Sequence, residues 1–234
     1  DSYKSIIESL THAAAMNLAK INLKCVHSET IFPDNLASKL EGFDGIVVAP
    51  GFGDRGIEGK ILAAQYAREN RIPYFGICLG MQCAVIEFAR NVLGYKDAHS
   101  TEMTRMTEHP VIDLMEEQKG VTEKGGTMRL GSYPCDIKPG TLVHSIYNED
   151  HIKERHRHRY EFNSDFLEDF EKAGMISAGI NPGSQLVEIM EMPSHPWFIG
   201  VQFHPEYSSN VLRPHPLFVN FIKAALENKK PAGK

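Results

Sequence analysis

The chain is poor in tryptophan (one) and in cysteine (Cys25, Cys78, Cys83 and Cys135), and no two cysteines form a Cys-x-x-Cys pair. That scarcity excludes a disulfide-built scaffold and a cysteine-rich zinc module, and it suits a reducing cytoplasm. No run of about 18 apolar residues occurs, so no membrane-spanning helix is expected. Basic charge is not in excess: 25 Lys and Arg against 30 Asp and Glu leave a net charge of −5. A surface of that sign argues against nucleic acid as a partner. The opening, Asp1-Ser2-Tyr3, has neither a methionine nor a signal-peptide pattern and reads as a processed chain or an excised piece of a longer one. There is no internal repeat.

What is present is ordinary globular composition, 42% hydrophobic and 24% charged over 234 residues, which suits one domain spanning 1–234. Tyr3 to Leu18 has helical apolar spacing, with Asp1 or Ser2 as cap. Asn22 to His27 reads as a strand. Gly45 to Ala49 is a short β-branched run typical of a buried parallel strand, followed by a helix over Ile57 to Asn70. Tyr74 to Ile77 is the next strand and Met81 to Asn91 its helix. This alternation predicts an α/β fold with a central, mostly parallel sheet flanked by helices. Further on, Thr127 to Leu130, Tyr133 to Ile137 and Arg157 to Phe162 look extended. Leu186 to Glu191 and Trp197 to Phe203 read as a hairpin pair. A helix over Pro216 to Asn228 precedes a flexible tail over about 229–234.

Gly76-Ile77-Cys78-Leu79-Gly80 concentrates the chemistry. A glycine two residues either side of a nucleophile, at a strand-to-helix turn, is the sterics of a nucleophile elbow. Here the nucleophile is a thiol, and a helix N-terminus stabilises a thiolate. Cys25 and Cys83 are expected in the core. The base is chosen among eleven histidines. Only His204 both follows an apolar strand and has a carboxylate two residues on, in His204-Pro205-Glu206. On an extended segment those two side chains project to the same side, so Glu206 would orient the imidazole toward Cys78. Gly51, in the Pro50-Gly51-Phe52-Gly53 turn, and Leu79, just past the nucleophile, are candidate backbone donors for an oxyanion hole.

Two tempting motifs are weaker. Gly53 to Lys60 resembles a phosphate loop, but Gly53 and Gly59 are one residue too far apart and Ile61 replaces the Mg²⁺-binding hydroxyl. In Arg155-His156-Arg157-His158-Arg159, strand alternation puts three arginines on one face and two histidines on the other. A third metal ligand is lacking there, so no metal is expected. The remaining alternatives are a solvated charged strand and an arginine that clamps a substrate carboxylate. A cysteine elbow by itself also fits a cysteine peptidase or a γ-glutamyl hydrolase.

Gly76 to Gln82 together with His204-Pro205-Glu206 resembles the class I glutamine amidotransferases. Four further stretches, Gly51–Lys60, Glu87–Gly94, Gly125–Gly131 and Glu154–Asn163, narrow the resemblance to the amidotransferase domain of CTP synthases. The resemblance implies a flavodoxin-like fold and hydrolysis of L-glutamine to glutamate and ammonia, with no cofactor in this domain. It implies Cys78 as nucleophile, His204 as base and acid, and Glu206 as orienting carboxylate. Gly51 and Leu79 become oxyanion donors. Gly51, Leu79, Gly80, Met81, Gln82, Glu102 and Arg159 fall at glutamine-binding positions, with Arg159 on the carboxylate and Glu102 on the ammonium. It further implies a covalently linked N-terminal synthase domain, absent from this chain, that uses ATP and Mg to aminate UTP. A tetrameric homo-oligomer is implied for the full-length enzyme. GTP is implied as an allosteric activator acting through the Gly53–Lys60 loop, with Arg55 as a contact. The family's usual Pro-Gly-Gly-Phe-Gly loop is here Ala49-Pro50-Gly51-Phe52-Gly53, with the proline displaced by one residue.

Overall fold

A computed structural model describes residues 3–114 and 128–229. In chain order the elements that frame the fold are α1 (Lys4–Met16), α2 (Leu36–Leu40), β1 (Ile46–Val48), α3 (Ile57–Glu69), β2 (Tyr74–Ile77) and α4 (Leu79–Phe88). They are followed by β3 (Ile112–Leu114), β4 (Arg129–Ile137), α5 (Leu142–Tyr147), β5 (His151–His158), β6 (Tyr160–Phe162) and α6 (Leu167–Ala173). The last are β7 (Ile176–Ile180), β8 (Val187–Glu191), β9 (Phe198–Val201) and α7 (Pro216–Asn228). Seven strands form one sheet in the order β1-β2-β9-β8-β7-β4-β5, and β3 pairs with β6 in a second, two-stranded sheet.

The α/β class follows from the alternation along the first hundred residues. The sheet is mixed, however, and not mostly parallel: only β1, β2 and β9 run parallel, and β8, β7, β4 and β5 are joined by antiparallel pairings. The reason is the hairpin read between Leu186 and Phe203. It places β8 antiparallel to β9, in register Met190 with Gly200, and the remaining strands extend the sheet from that reversed strand.

Apolar side chains fill both faces. One core packs α3 and α4 on the sheet through Ile57, Ile61, Met81, Val85 and Phe198. The other packs α1 and α7 through Leu10, Phe75, Trp197, Phe218 and Phe221. Strand β2 is buried along its whole length between them. This explains why its four residues carry no alternation.

Local details differ from the expectations in instructive places. Asn22 to His27 forms no strand, and Cys25 is exposed, not in the core. Alternation there finds no ladder partner among the described residues, and backbone groups without a partner strand stay with solvent. Helix α1 ends at Asn17, whose side-chain amide donates to the Ala13 and Val219 carbonyls, tying the helix end to α7. The cap expected at Asp1 or Ser2, residues 115–127 and the tail from 230 lie outside the described residues. The extended stretch expected over Arg157 to Phe162 is broken at Arg159, which bends the chain from β5 into β6.

Candidate functional site

The site gathers at the carboxyl ends of the three parallel strands, where open α/β sheets bind ligands. Strand β2 delivers Cys78 at the turn into α4. The Cys78 backbone is held at φ 52° and ψ −105°, and its N–H donates to the Val201 carbonyl of β9 at 2.7 Å. A non-glycine residue at positive φ costs of order 1–3 kcal/mol and persists only where its surroundings over-determine it. Two glycines supply that constraint. A Cβ on Gly76 would lie 2.7 Å from the Gly80 carbonyl carbon, and one on Gly80 would lie 2.1 Å from the Val48 carbonyl oxygen. Both contacts are to backbone, so neither neighbour can step aside. Tyr74 then donates its hydroxyl to the Gly80 carbonyl at 2.8 Å, from beneath the elbow.

Strand β9 delivers His204. Its backbone N–H donates to the Arg155 carbonyl of β5 at 2.7 Å, and its ring stacks on Tyr207. Glu206 reaches it differently from the expected extended segment. Pro205 to Tyr207 is a turn of 3₁₀ helix, and that turn brings Glu206 Oε1 to 2.8 Å from His204 Nδ1. Both side chains are buried. Burial by itself would lower the His204 pKa. Hydrogen bonding to Cys78 and to Glu206, with their negative charge, outweighs it and raises the pKa to about 10. His204 Nε2 has no well-aligned hydrogen bond of its own, although the sulfur is close enough to stabilise the ring proton.

An open pocket faces Cys78 and is lined also by Gly51, Phe52, Gln82, Glu102, His158, Arg159 and Tyr160. The structure thus brings Cys78, Gly51, Gln82, Glu102 and Arg159 to one cavity. Glu102 is tied to the glycine loop, accepting the Gly53 N–H at 3.0 Å. Arg159 enters from the β5–β6 bend. Leu79 and Gly80 lie in the first turn of α4 rather than in the pocket wall. The Met81 side chain packs beneath Gly200 in the core, leaving only its backbone near the elbow. Among the described residues, no backbone hydrogen bond engages the Gly51 or Leu79 amide. Arg55 lies away from the pocket lining, exposed and paired with Glu29 at 2.6 and 2.9 Å.

Two groups at the site escaped the sequence reading. Gln202 donates its side-chain amide toward the Cys78 sulfur at 3.6 Å and accepts from Gln82 at 3.2 Å. Gln82 also donates to the Tyr160 carbonyl at 2.9 Å. A single amide inside the apolar run Trp197 to Phe203, two residues before His204, was the available signal. The second group is the buried face of β5. The alternation predicted for Arg155 to Arg159 is observed as far as His158, with Arg159 turned off the arginine face at the bend, and the histidine face is dry, not solvated. His156 Nδ1 and His158 Nε2 are 2.9 Å apart, and Arg129 donates to Glu188 at 2.6 Å behind them. Burial pushes the His158 pKa down to about 3 and the Glu188 pKa up to about 7. Among the described residues, no group of three or more His, Cys, Asp or Glu side chains is placed to hold a metal ion. No described helix is long and apolar enough to cross a membrane.

Comparison with known proteins agrees with this geometry. Residues 1–224 match the family model of the class-I glutamine amidotransferases. The CTP synthase of Flavobacterium johnsoniae is 60% identical over 98% of the chain, and that of Bacteroides fragilis 61% identical over 97%. The chain spans 43% of the length of each of these curated relatives. A solved structure of the glutaminase domain of the Trypanosoma brucei enzyme, with bound acivicin, superposes with a TM-score of 0.91 at 39% identity. That superposition covers 99% of this chain and 90% of the other. On these grounds the chain belongs to the class-I glutamine amidotransferase family and is a glutaminase domain of the CTP synthase type.

Proposed function

We propose that Cys78, His204 and Glu206 hydrolyse L-glutamine to glutamate and ammonia through a γ-glutamyl thioester. The observation that carries the reading is the cavity itself. A cysteine on a strained turn shares it with a carboxylate, Glu102, and a guanidinium, Arg159. Those two charges complement the ammonium and carboxylate of an α-amino acid whose side chain points at the sulfur.

In the first step the Cys78 thiolate attacks the side-chain amide carbon, forming a C–S bond. The carbonyl oxygen takes the negative charge and is held by the Gly51 and Leu79 amides, each worth roughly 3 kcal/mol. As the C–N bond breaks, His204 gives its Nε2 proton to the departing nitrogen, which leaves as ammonia. In the second step His204 takes a proton from water, the resulting hydroxide attacks the thioester carbon, and glutamate departs as the thiolate is restored. Glu206, bonded to Nδ1, keeps the imidazole in the tautomer that can do both. Gly80, Met81 and Gln82 contribute backbone and the Gln82 amide to the substrate side of α4.

In the longer protein, the ammonia would pass to an N-terminal synthase domain that converts UTP to CTP with ATP and Mg. The relatives named above support that placement, as does the fraction of their length this chain represents. GTP would act as an activator through the Gly53–Lys60 loop, with Arg55 as a contact once its pairing with Glu29 is exchanged. A tetramer is proposed for the full-length enzyme, and the cytoplasm for its location.

The test is release of glutamate and ammonia from glutamine by the purified chain. Cys78→Ala should abolish turnover while glutamine still binds in calorimetry. A glutamine-like electrophile such as acivicin should add to Cys78 alone by peptide mass spectrometry. Unchanged glutaminase activity in Cys78→Ala would refute the assignment.

A further inference from the structure

Lys60 stands in an electrostatically costly place. It lies in the first turn of α3, where the helix dipole disfavours a cation, and its side chain is partly buried. Burial lowers its pKa. Among the described residues it has no carboxylate partner; its one hydrogen bond is to a neutral acceptor, the Ala49 carbonyl, at 3.2 Å. Ala49 opens the loop that carries Gly51. An added Cβ on Gly51 would lie 3.2 Å from Lys60 Nζ and 3.2 Å from Leu79 Cδ2. The ammonium therefore flanks the glycine of the proposed oxyanion hole, beside the Leu79 side chain that opens α4.

The ionisable groups around Lys60 are few. Cys83 and Cys78, both on the α4 side, attract its charge. Cys83 is buried, with its pKa raised to about 12 by that burial, so it is a neutral thiol at any ordinary pH. On the outer side Glu58 is paired with Arg90 at 2.9 Å. In the loop Glu102 accepts from Gly53. That leaves Cys78 as the neighbour able to supply the missing negative charge.

We infer that Lys60 is a positioning residue of the reaction: its ammonium anchors the Ala49 carbonyl so that the Gly51 amide is aimed. It also serves as the countercharge for the anion that forms first on the Cys78 sulfur and then on the substrate oxygen. Its catalytic consequence rests on the glutamine-hydrolysis reading above, but its effect on the thiol can be read without substrate.

Lys60→Gln and Lys60→Arg both retain a donor for the Ala49 carbonyl and differ in charge. The rate of Cys78 alkylation by iodoacetamide is followed against pH, alongside glutamine turnover. Lys60→Gln should shift the rising limb to higher pH, making alkylation about tenfold slower at a fixed pH on that limb. It should lower kcat by at least as much, with KM within about threefold. Lys60→Arg should keep the wild-type alkylation profile. If Lys60→Gln does not fold by circular dichroism, Lys60→Met takes its place. An alkylation profile of the neutral variant that superposes on wild type would overturn the inference. Absence of glutaminase activity in the wild-type chain, with the shift in alkylation present, would instead count against the function reading and leave the Lys60–Cys78 coupling supported.

Discussion

The elbow makes a quantitative demand on Gly80. An added methyl carbon would lie 2.1 Å from the Val48 carbonyl oxygen and 3.0 Å from its carbonyl carbon. An ordinary carbon–oxygen contact is about 3.3 Å, so α4 and β1 would have to part by roughly 1 Å in a close-packed core. Overpacking of this kind costs typically 1–3 kcal/mol, and a clash with backbone on both sides places Gly80→Ala at the upper end, roughly 3 kcal/mol. At about 2–4 °C per kcal/mol for a chain of this size, the melting temperature should fall by roughly 6–12 °C. Gly183→Ala is the control. Its Cβ would meet only Asn181 Oδ1, at 3.4 Å, an ordinary contact. There the reduced freedom of the unfolded chain predicts a change of roughly zero to +1 kcal/mol in stability, of opposite sign. Calorimetric melting of the two variants beside wild type, with glutamine turnover measured on each, reads both effects. Melting of Gly80→Ala within about 2 °C of wild type, with glutaminase activity retained, would show that the close approach of α4 to β1 does not hold Cys78 in place.

Two other expectations concern charge. Glu206→Gln keeps the shape beside His204 but removes the carboxylate that helps hold its pKa near 10. Turnover should fall by roughly a hundredfold or more with little change in KM, and the pH at which activity is lost on the alkaline side should move down, because the His204 imidazolium gives up its proton earlier without the carboxylate; equal kcat in the two proteins would remove Glu206 from the mechanism. Glu188 bears on stability. Burial raises its folded pKa to about 7 against 4.5, with Arg129 opposing. An acid whose folded pKa is raised holds its proton more tightly when folded, so its contribution worsens as pH rises from 4.5 to 7 and stays at its least favourable above. For this window the penalty is on the order of 3 kcal/mol. Urea unfolding of wild type and Glu188→Gln at pH 4.5 and 7.5 should show the variant gaining relative to wild type at the higher pH; a pH-independent difference would rule out a shifted Glu188.

The chain's primary structure was enough for what depends on neighbours along it. Gly76, Cys78 and Gly80 are two residues apart because a strand-to-helix turn leaves no room for Cβ atoms, so the elbow was visible as a spacing. The Leu186 to Phe203 hairpin was legible for the same reason, since both its strands and its turn are contiguous. The alternating face of Arg155 to His158 also follows from the two-residue period of a strand. Tertiary structure decided which of those faces is dry. His156 and His158 are neutral and buried because β5 closes over Arg129 and Glu188, more than twenty residues away in either direction. It likewise decided that Asn22 to His27, which reads like a strand, is not one, because a strand exists only where another chain segment accepts its hydrogen bonds. Gln202 beside the sulfur and Lys60 beside the glycine loop belong to this second kind. Amide and ammonium act through a few ångströms of space, and no period along the chain records what stands across the sheet.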